Sequence, residues 1–112
     1  MKYVQPYLKS ILDDLAILKE RMPTDKEAFT KDILLQDATL MRLTDIGEHF
    51  TRIRENFPEF YEQHATEAWH KIIGVRNIIA HGYHEVDLNT IWDIISSRLD
   101  EMTLQLNDLL KL

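Results

Sequence analysis

Apolar residues recur at spacings of three and four along most of this chain, which is the period of an α-helix. Residues 4–22 form the first such stretch, residues 30–56 a long second one and residues 66–82 a third. A fourth follows Asp87, whose side chain favours the start of a helix. The pattern therefore predicts an all-α protein, an up-and-down bundle of four main helices.

The third predicted helix is apolar over most of its circumference, and the others each have one inward stripe. On the second helix we expect the inward residues to be Ile33, Leu34, Ala38, Met41, Ile46, Phe50 and Ile53. The fourth is predicted as one helix with the inward residues Leu88, Ile91, Ile95, Leu99, Met102, Leu106 and Leu109 or Leu110. Most charged residues of the first and second predicted helices, including Asp14, Asp45 and His49, are interpreted as a solvated surface.

The connections between these helices carry turn signals. Residues 24–27, Thr-Asp-Lys-Glu, match a capping box that would begin a short further turn. Residues 60–65 are ambiguous, and residues 84–86 indicate a short turn. Gly47 and Gly74 instead lie in helix interiors, where glycine costs about 1 kcal/mol relative to alanine. We expect the second and third helices to cross with their backbones close at these two glycines.

Length and composition limit the class of protein. The chain has 112 residues, which fits a single helical domain over 1–112, and it has no cysteine, which excludes a disulfide framework. The first residues contain no apolar signal core and no run is long enough to span a membrane, so we expect a cytoplasmic protein without a membrane partner. A net charge of −6 argues against coating nucleic acid by bulk electrostatics but allows a small phosphate site.

Arg76 is the residue that ordinary helix packing does not explain. On a helical wheel it lies in the middle of the apolar face of the third helix, where its charge requires a carboxylate, carbonyl groups or a phosphate. Asn77 and His81 are four residues apart and form a polar edge beside it. The expected crossing would bring Glu48 toward Arg76, so Glu48 is the predicted supporting partner.

A metal site is poorly supported by the sequence. No His-Glu-x-x-His pattern occurs, and only His81 with His84 or Glu85 is locally plausible as a ligand set. No glycine-rich phosphate loop is present either. We therefore expect neither a metal nor another cofactor.

The three polar residues suit metal-free RNA cleavage. An imidazole can exchange protons near neutral pH, a guanidinium can stabilise a phosphorane-like charge, and an amide can orient either group. The 2′-hydroxyl of the RNA is then the nucleophile. Residues five apart on a straight helix diverge by about 140°, so Arg76 and His81 would converge only through a frayed helix end or a second subunit.

Residues 76–83, Arg-Asn-Ile-Ile-Ala-His-Gly-Tyr, resemble the Arg, four residues, His, one residue, Tyr motif of the HepT-like branch of the HEPN superfamily. The resemblance covers roughly residues 5–105. It includes the flanking segments Gln36-Asp37-Ala38, Ile46-Gly47-Glu48, Trp69, Val86-Asp87-Leu88 and Ile91-Trp92.

The resemblance implies an all-α homodimer whose motif helices meet at the interface, acting as a metal-independent ribonuclease toxin on RNA. It also implies an antitoxin, a cognate minimal nucleotidyltransferase of the MntA type, which adds AMP to the motif tyrosine, here Tyr83. In this interpretation His81 is the general acid and base, Arg76 stabilises the scissile phosphate and Asn77 orients them.

Two other interpretations use the same residues. The chain could be a non-catalytic helical partner or substrate-binding subunit of a nucleotidyltransferase. It could also be a plain dimeric bundle in which Arg76 serves stability alone. Loss of RNA cleavage on replacing His81 would distinguish the ribonuclease interpretation from both of these.

Overall fold

The computed structural model describes residues 3–112, which form seven α-helices and one short 3-10 turn, with no strand among them. The helices are α1 (Gln5–Glu20), α2 (Lys26–Lys31), α3 (Ile33–Asn56), α4 (Pro58–His64), α5 (Glu67–His81), α6 (Leu88–Ser97) and α7 (Leu99–Leu110), and the turn is Tyr83–Glu85. This confirms the all-α class. Among these helices none is both long enough and apolar enough to cross a membrane.

Aspartate side chains start three of the helices. Asp25, Asp32 and Asp87 each accept a hydrogen bond from a backbone N–H in the first turn that follows, at 2.8–2.9 Å. The expected capping box is thus shifted by one residue, because Asp25 and not Thr24 is the cap of α2. Likewise α3 begins after Asp32, later than the predicted start at residue 30.

The core lies where α3 packs against α5 and α1, and α7 also packs against α1. Phe50 of α3 and Trp69 of α5 stack at its centre with ring centroids 4.5 Å apart. On α3 the buried apolar residues are Leu40, Leu43, Ile46, Phe50 and Ile53. These positions recur every three or four residues, as an amphipathic helix requires.

Three of the predicted inward residues of α3 are wrong. Met41 is 72% exposed, and Leu34, seven residues earlier, is exposed with it, because both lie about 100° around the helix from Leu40. Ile33 shares the direction of Leu40 but is exposed in the first turn, beyond the reach of the core.

The predicted fourth helix is divided at Arg98, which separates α6 from α7. The Arg98 guanidinium lies 3.9 Å from a Glu67 carboxylate oxygen and 3.8 Å from one of Asp93. The inward stripe is nevertheless largely as expected, since Ile91, Ile95, Leu99, Met102, Leu106 and Leu109 are buried. The ambiguous segment after Phe57 forms the short helix α4.

The close crossing of α3 and α5 occurs at Gly47 only. A Cβ at Gly47 would lie 2.6 Å from Cβ of Arg76 and 3.1 Å from the backbone oxygen of Ile72, whereas nothing lies within 4 Å of a Cβ at Gly74. The expectation is confirmed at the first glycine and wrong at the second. Gly74 is two residues from both Ile72 and Arg76, which places it about 200° around α5 from the contact. The crossing puts Glu48 beside Arg76.

Candidate active site

Arg76 is held by a carboxylate, as its position in an apolar stripe requires. Its Nε and Nη2 both donate to Oε2 of Glu48, at 3.0 and 2.7 Å, and its side chain is 30% exposed. The other Glu48 oxygen lies 3.5 Å from Nη2 of Arg52. Asn77 completes the arrangement, because its Oδ1 accepts from Nη1 of Arg76 at 2.9 Å. The guanidinium is therefore fixed on two sides.

The Arg76 guanidinium still has donors to offer. It carries five N–H groups, and Glu48 and Asn77 take three of them, one each on Nε, Nη1 and Nη2. One N–H on each terminal nitrogen then has no partner among residues 3–112. Two N–H groups on one planar group match the spacing of two phosphate oxygens. Arg76 can therefore bind an anion without breaking its contact with Glu48.

His81 is the last residue of α5, and its ring is exposed. Its imidazole makes no hydrogen bond to any other residue in the described part of the chain. The helix does not fray here, since the Gly82 N–H donates to the Ile78 carbonyl at 2.9 Å. Arg76 and His81 consequently keep the divergence of about 140° that a regular helix imposes. A single chain does not bring the two side chains together.

Tyr83 follows the helix and turns back onto α3, where its hydroxyl donates to Oδ1 of Asp37. Burial of the hydroxyl, and then the hydrogen bond to Asp37 and the charge of that residue, raise the pKa of Tyr83 to about 12. The phenol is therefore protonated at neutral pH. Asp37 was not among the residues that we assigned to the site from sequence, although it belongs to one of the flanking segments of the resemblance.

An open groove of about 450 Å³ runs beside this hydrogen bond. It is lined by Asp37, Leu40, Met41, Thr44, Ile79 and Tyr83. Ile78, one residue before Ile79 on α5, is also exposed, at 43%. Apolar side chains are thus exposed beside the polar edge that contains Asn77 and His81.

Asp14 does not lie on a solvated surface. Only 3% of the residue is exposed, and it faces Arg42 and Asp45 of α3. The sequence contained one signal for this burial, because Asp14 lies three residues after Ile11 and next to Leu15 on the inward side of α1.

Comparison with known proteins identifies the family. The model of the HepT-like ribonucleases matches residues 11–109. A protein of Caldanaerobacter subterraneus subsp. tengcongensis named "Putative RNase TTE0752" is 34% identical, and the match covers 99% of this chain and 97% of that protein. No solved structure matches the chain.

Two proteins of Methanocaldococcus jannaschii are also similar. "Gamma-glutamylcyclotransferase and putative RNase MJ0434" is 30% identical over 90% of this chain, which corresponds to 45% of that longer protein. "Putative RNase MJ0127" is 25% identical over 98% of this chain and 89% of its own length. The match to nearly the whole chain, together with the fixed Arg76 and the exposed His81 on α5, shows that this protein belongs to the HepT-like ribonuclease family.

Proposed function

We propose that this protein is a metal-independent endoribonuclease, the toxin of a type VII toxin–antitoxin pair of the HepT/MntA kind. The observation that carries the proposal is the state of Arg76, which Glu48 and Asn77 hold in place while two of its N–H groups remain for a phosphate. Family membership and the names of the relatives support RNA as the substrate.

The reaction needs only groups of the RNA and of this chain. The 2′-oxygen attacks the adjacent phosphorus, the bond from phosphorus to the 5′-oxygen breaks, and a 2′,3′-cyclic phosphate and a 5′-hydroxyl form. One His81 imidazole accepts the proton of the 2′-hydroxyl, and a protonated imidazole donates to the leaving 5′-oxygen. Arg76 stabilises the charge that develops on the phosphate oxygens.

The proposed enzyme is a homodimer with paired α5 helices. Within one chain Arg76 and His81 point about 140° apart, so the two groups meet only when a second α5 supplies one of them. The exposure of Ile78 and Met41 beside the motif supports a partner surface at this place, because it leaves apolar side chains uncovered. The pair would also supply separate histidines as base and acid.

Tyr83 is the proposed site of regulation. A cognate minimal nucleotidyltransferase of the MntA type would act as the antitoxin by transferring AMP to the Tyr83 hydroxyl. The partly exposed position of Tyr83, two residues after His81, supports this role. The added phosphate would place negative charge near the cleft and repel RNA.

The test is RNA cleavage by purified, unmodified protein in the presence of a chelator. We expect wild type to form 2′,3′-cyclic phosphate ends and His81→Ala to be slower by about 10²–10⁴-fold, because it lacks proton transfer. Arg76→Ala is expected to lose activity as well. His84→Ala removes a neighbouring exposed imidazole and should retain the wild-type rate. Equal rates for wild type and His81→Ala would reject the proposal.

A non-catalytic partner of a nucleotidyltransferase is the alternative function. It is favoured by the ion pair itself, since Glu48 satisfies the charge of Arg76 without any substrate. This alternative predicts that the chain binds a nucleotidyltransferase tightly and that neither the free chain nor the complex cleaves RNA.

A further inference from the structure

A second group of chemically active side chains lies between α1 and α3. It consists of Asp14 from α1 with Asp45 and His49 from α3, and one oxygen or nitrogen atom of each lies within 4.8 Å of the others. The proposed RNA chemistry uses none of these residues. They therefore need an explanation of their own.

The buried carboxylate of Asp14 is incompletely satisfied. Its Oδ1 accepts from Nη1 of Arg42 at 3.1 Å. Its Oδ2 is buried and has no hydrogen-bond partner within residues 3–112. A buried charged oxygen without a partner is costly, and natural proteins satisfy such atoms with a donor, a proton or a metal ion. This unsatisfied oxygen, together with the clustering of the three side chains, points to a bound group.

The surroundings favour a cation. When both are ionised, Asp14 and Asp45 supply two negative charges against the single positive charge of Arg42. A positive ion between the two carboxylates would balance the excess negative charge.

His49 adds a nitrogen ligand to the two carboxylates. Its Nδ1 donates to the backbone oxygen of Asp45 at 2.7 Å and lies 3.6 Å from Oδ2 of the same residue, so a metal ion bound at Nδ1 would replace this hydrogen bond. The edge of the ring packs against Tyr7, with centroids 6.1 Å apart. These contacts hold the imidazole beside the carboxylates, and histidine with aspartate is a donor set that binds divalent transition metals.

We propose that Asp14, Asp45 and His49 bind one divalent transition-metal ion, Zn²⁺ or Mn²⁺, which links α1 to α3. Bond lengths of about 2.0–2.2 Å place tetrahedral ligand atoms about 3.4 Å apart, so a small rotation of the partly exposed Asp45 and His49 closes the site. Arg42 remains on the outer oxygen of Asp14 and orients it. The ion has a structural role, and the proposed RNA cleavage stays independent of it.

Metal binding is tested on the full chain after treatment with a chelator and its removal. Isothermal titration with ZnCl₂ and with MnCl₂ measures stoichiometry, and Co²⁺ absorption reports the coordination geometry of the bound ion. We expect one ion per chain. We also expect a rise in Tm of about 10 °C when the metal is 100 times above its Kd.

The variants Asp45→Asn and His49→Ala should lose both the binding and the rise in Tm. They are preferred to Asp14→Asn because Asp14 is buried and its replacement could alter folding. Asp13→Asn changes the exposed neighbour on α1 and should bind as wild type does. His84→Ala should also bind normally.

Absence of saturable binding, or equal binding by wild type and His49→Ala, would overturn the proposal. The two carboxylates would then share a proton instead. Loss of binding in His84→Ala would overturn it as well, because the ion would lie at the end of α5. None of these measurements depends on RNA cleavage, so the metal site and the proposed ribonuclease can fail separately.

Discussion

Replacing each of the two helix-interior glycines by alanine tests the crossing that positions Arg76. The substitution is chemically the same in both helices, and it gains about 1 kcal/mol of helix propensity at each position. At Gly74 the new methyl group meets no atom within 4 Å. Gly74→Ala is therefore expected to increase the free energy of unfolding by about 1 kcal/mol, or to raise Tm by about 4 °C.

Gly47→Ala should have the opposite sign. Its methyl carbon would lie 2.6 Å from Cβ of Arg76 and 3.1 Å from the backbone oxygen of Ile72. Neither atom is at the free end of a flexible side chain, so α3 and α5 must move apart, and overpacking of this kind costs about 1–3 kcal/mol. After the gain in propensity the net loss is up to about 2 kcal/mol. The two variants thus differ by the cost of overpacking, about 1–3 kcal/mol.

Urea denaturation followed by far-ultraviolet circular dichroism measures this difference, with all proteins at the same concentration because a dimer would make stability concentration-dependent. Gly47→Ala should also displace Arg76 from Glu48 and slow RNA cleavage. A Gly47→Ala protein that is as stable as Gly74→Ala would refute the close crossing.

Two further predictions concern the polar contacts of the site. Glu48→Ala leaves the Arg76 guanidinium half-buried without its anion and should lower the free energy of unfolding by about 1–2 kcal/mol in urea, whereas Glu62→Ala, at an exposed position, should change it little. For Tyr83, whose pKa is raised to about 12, the protonated phenol stabilises the fold below pH 10, and this contribution is lost as the pH rises from about 10 to about 12. Asp37→Asn should lower that pKa toward 10 in a tyrosinate absorbance titration, and an unchanged titration would contradict the hydrogen bond.

The amino-acid sequence was sufficient to predict the helical class and the need for a carboxylate, carbonyl groups or a phosphate beside Arg76. Both follow from local facts: apolar residues at helical spacing bury one face, and a guanidinium in that face must be paired. It also identified the correct partner, because Gly47 indicated where α3 and α5 approach and Glu48 is the next residue.

Which helix faces are covered depends on how the helices pack against each other. Met41 and Leu40 are adjacent apolar residues of one helix, yet one is exposed and the other buried, because α1 and α5 pack on one side of α3 and not the other. The same reason makes Asp14 a buried carboxylate instead of a solvated one. It also makes Asp37 the acceptor for Tyr83, a contact between residues 46 apart in the chain. Periodicity describes the faces of a single helix, and it contains no information about which neighbouring helix each face meets.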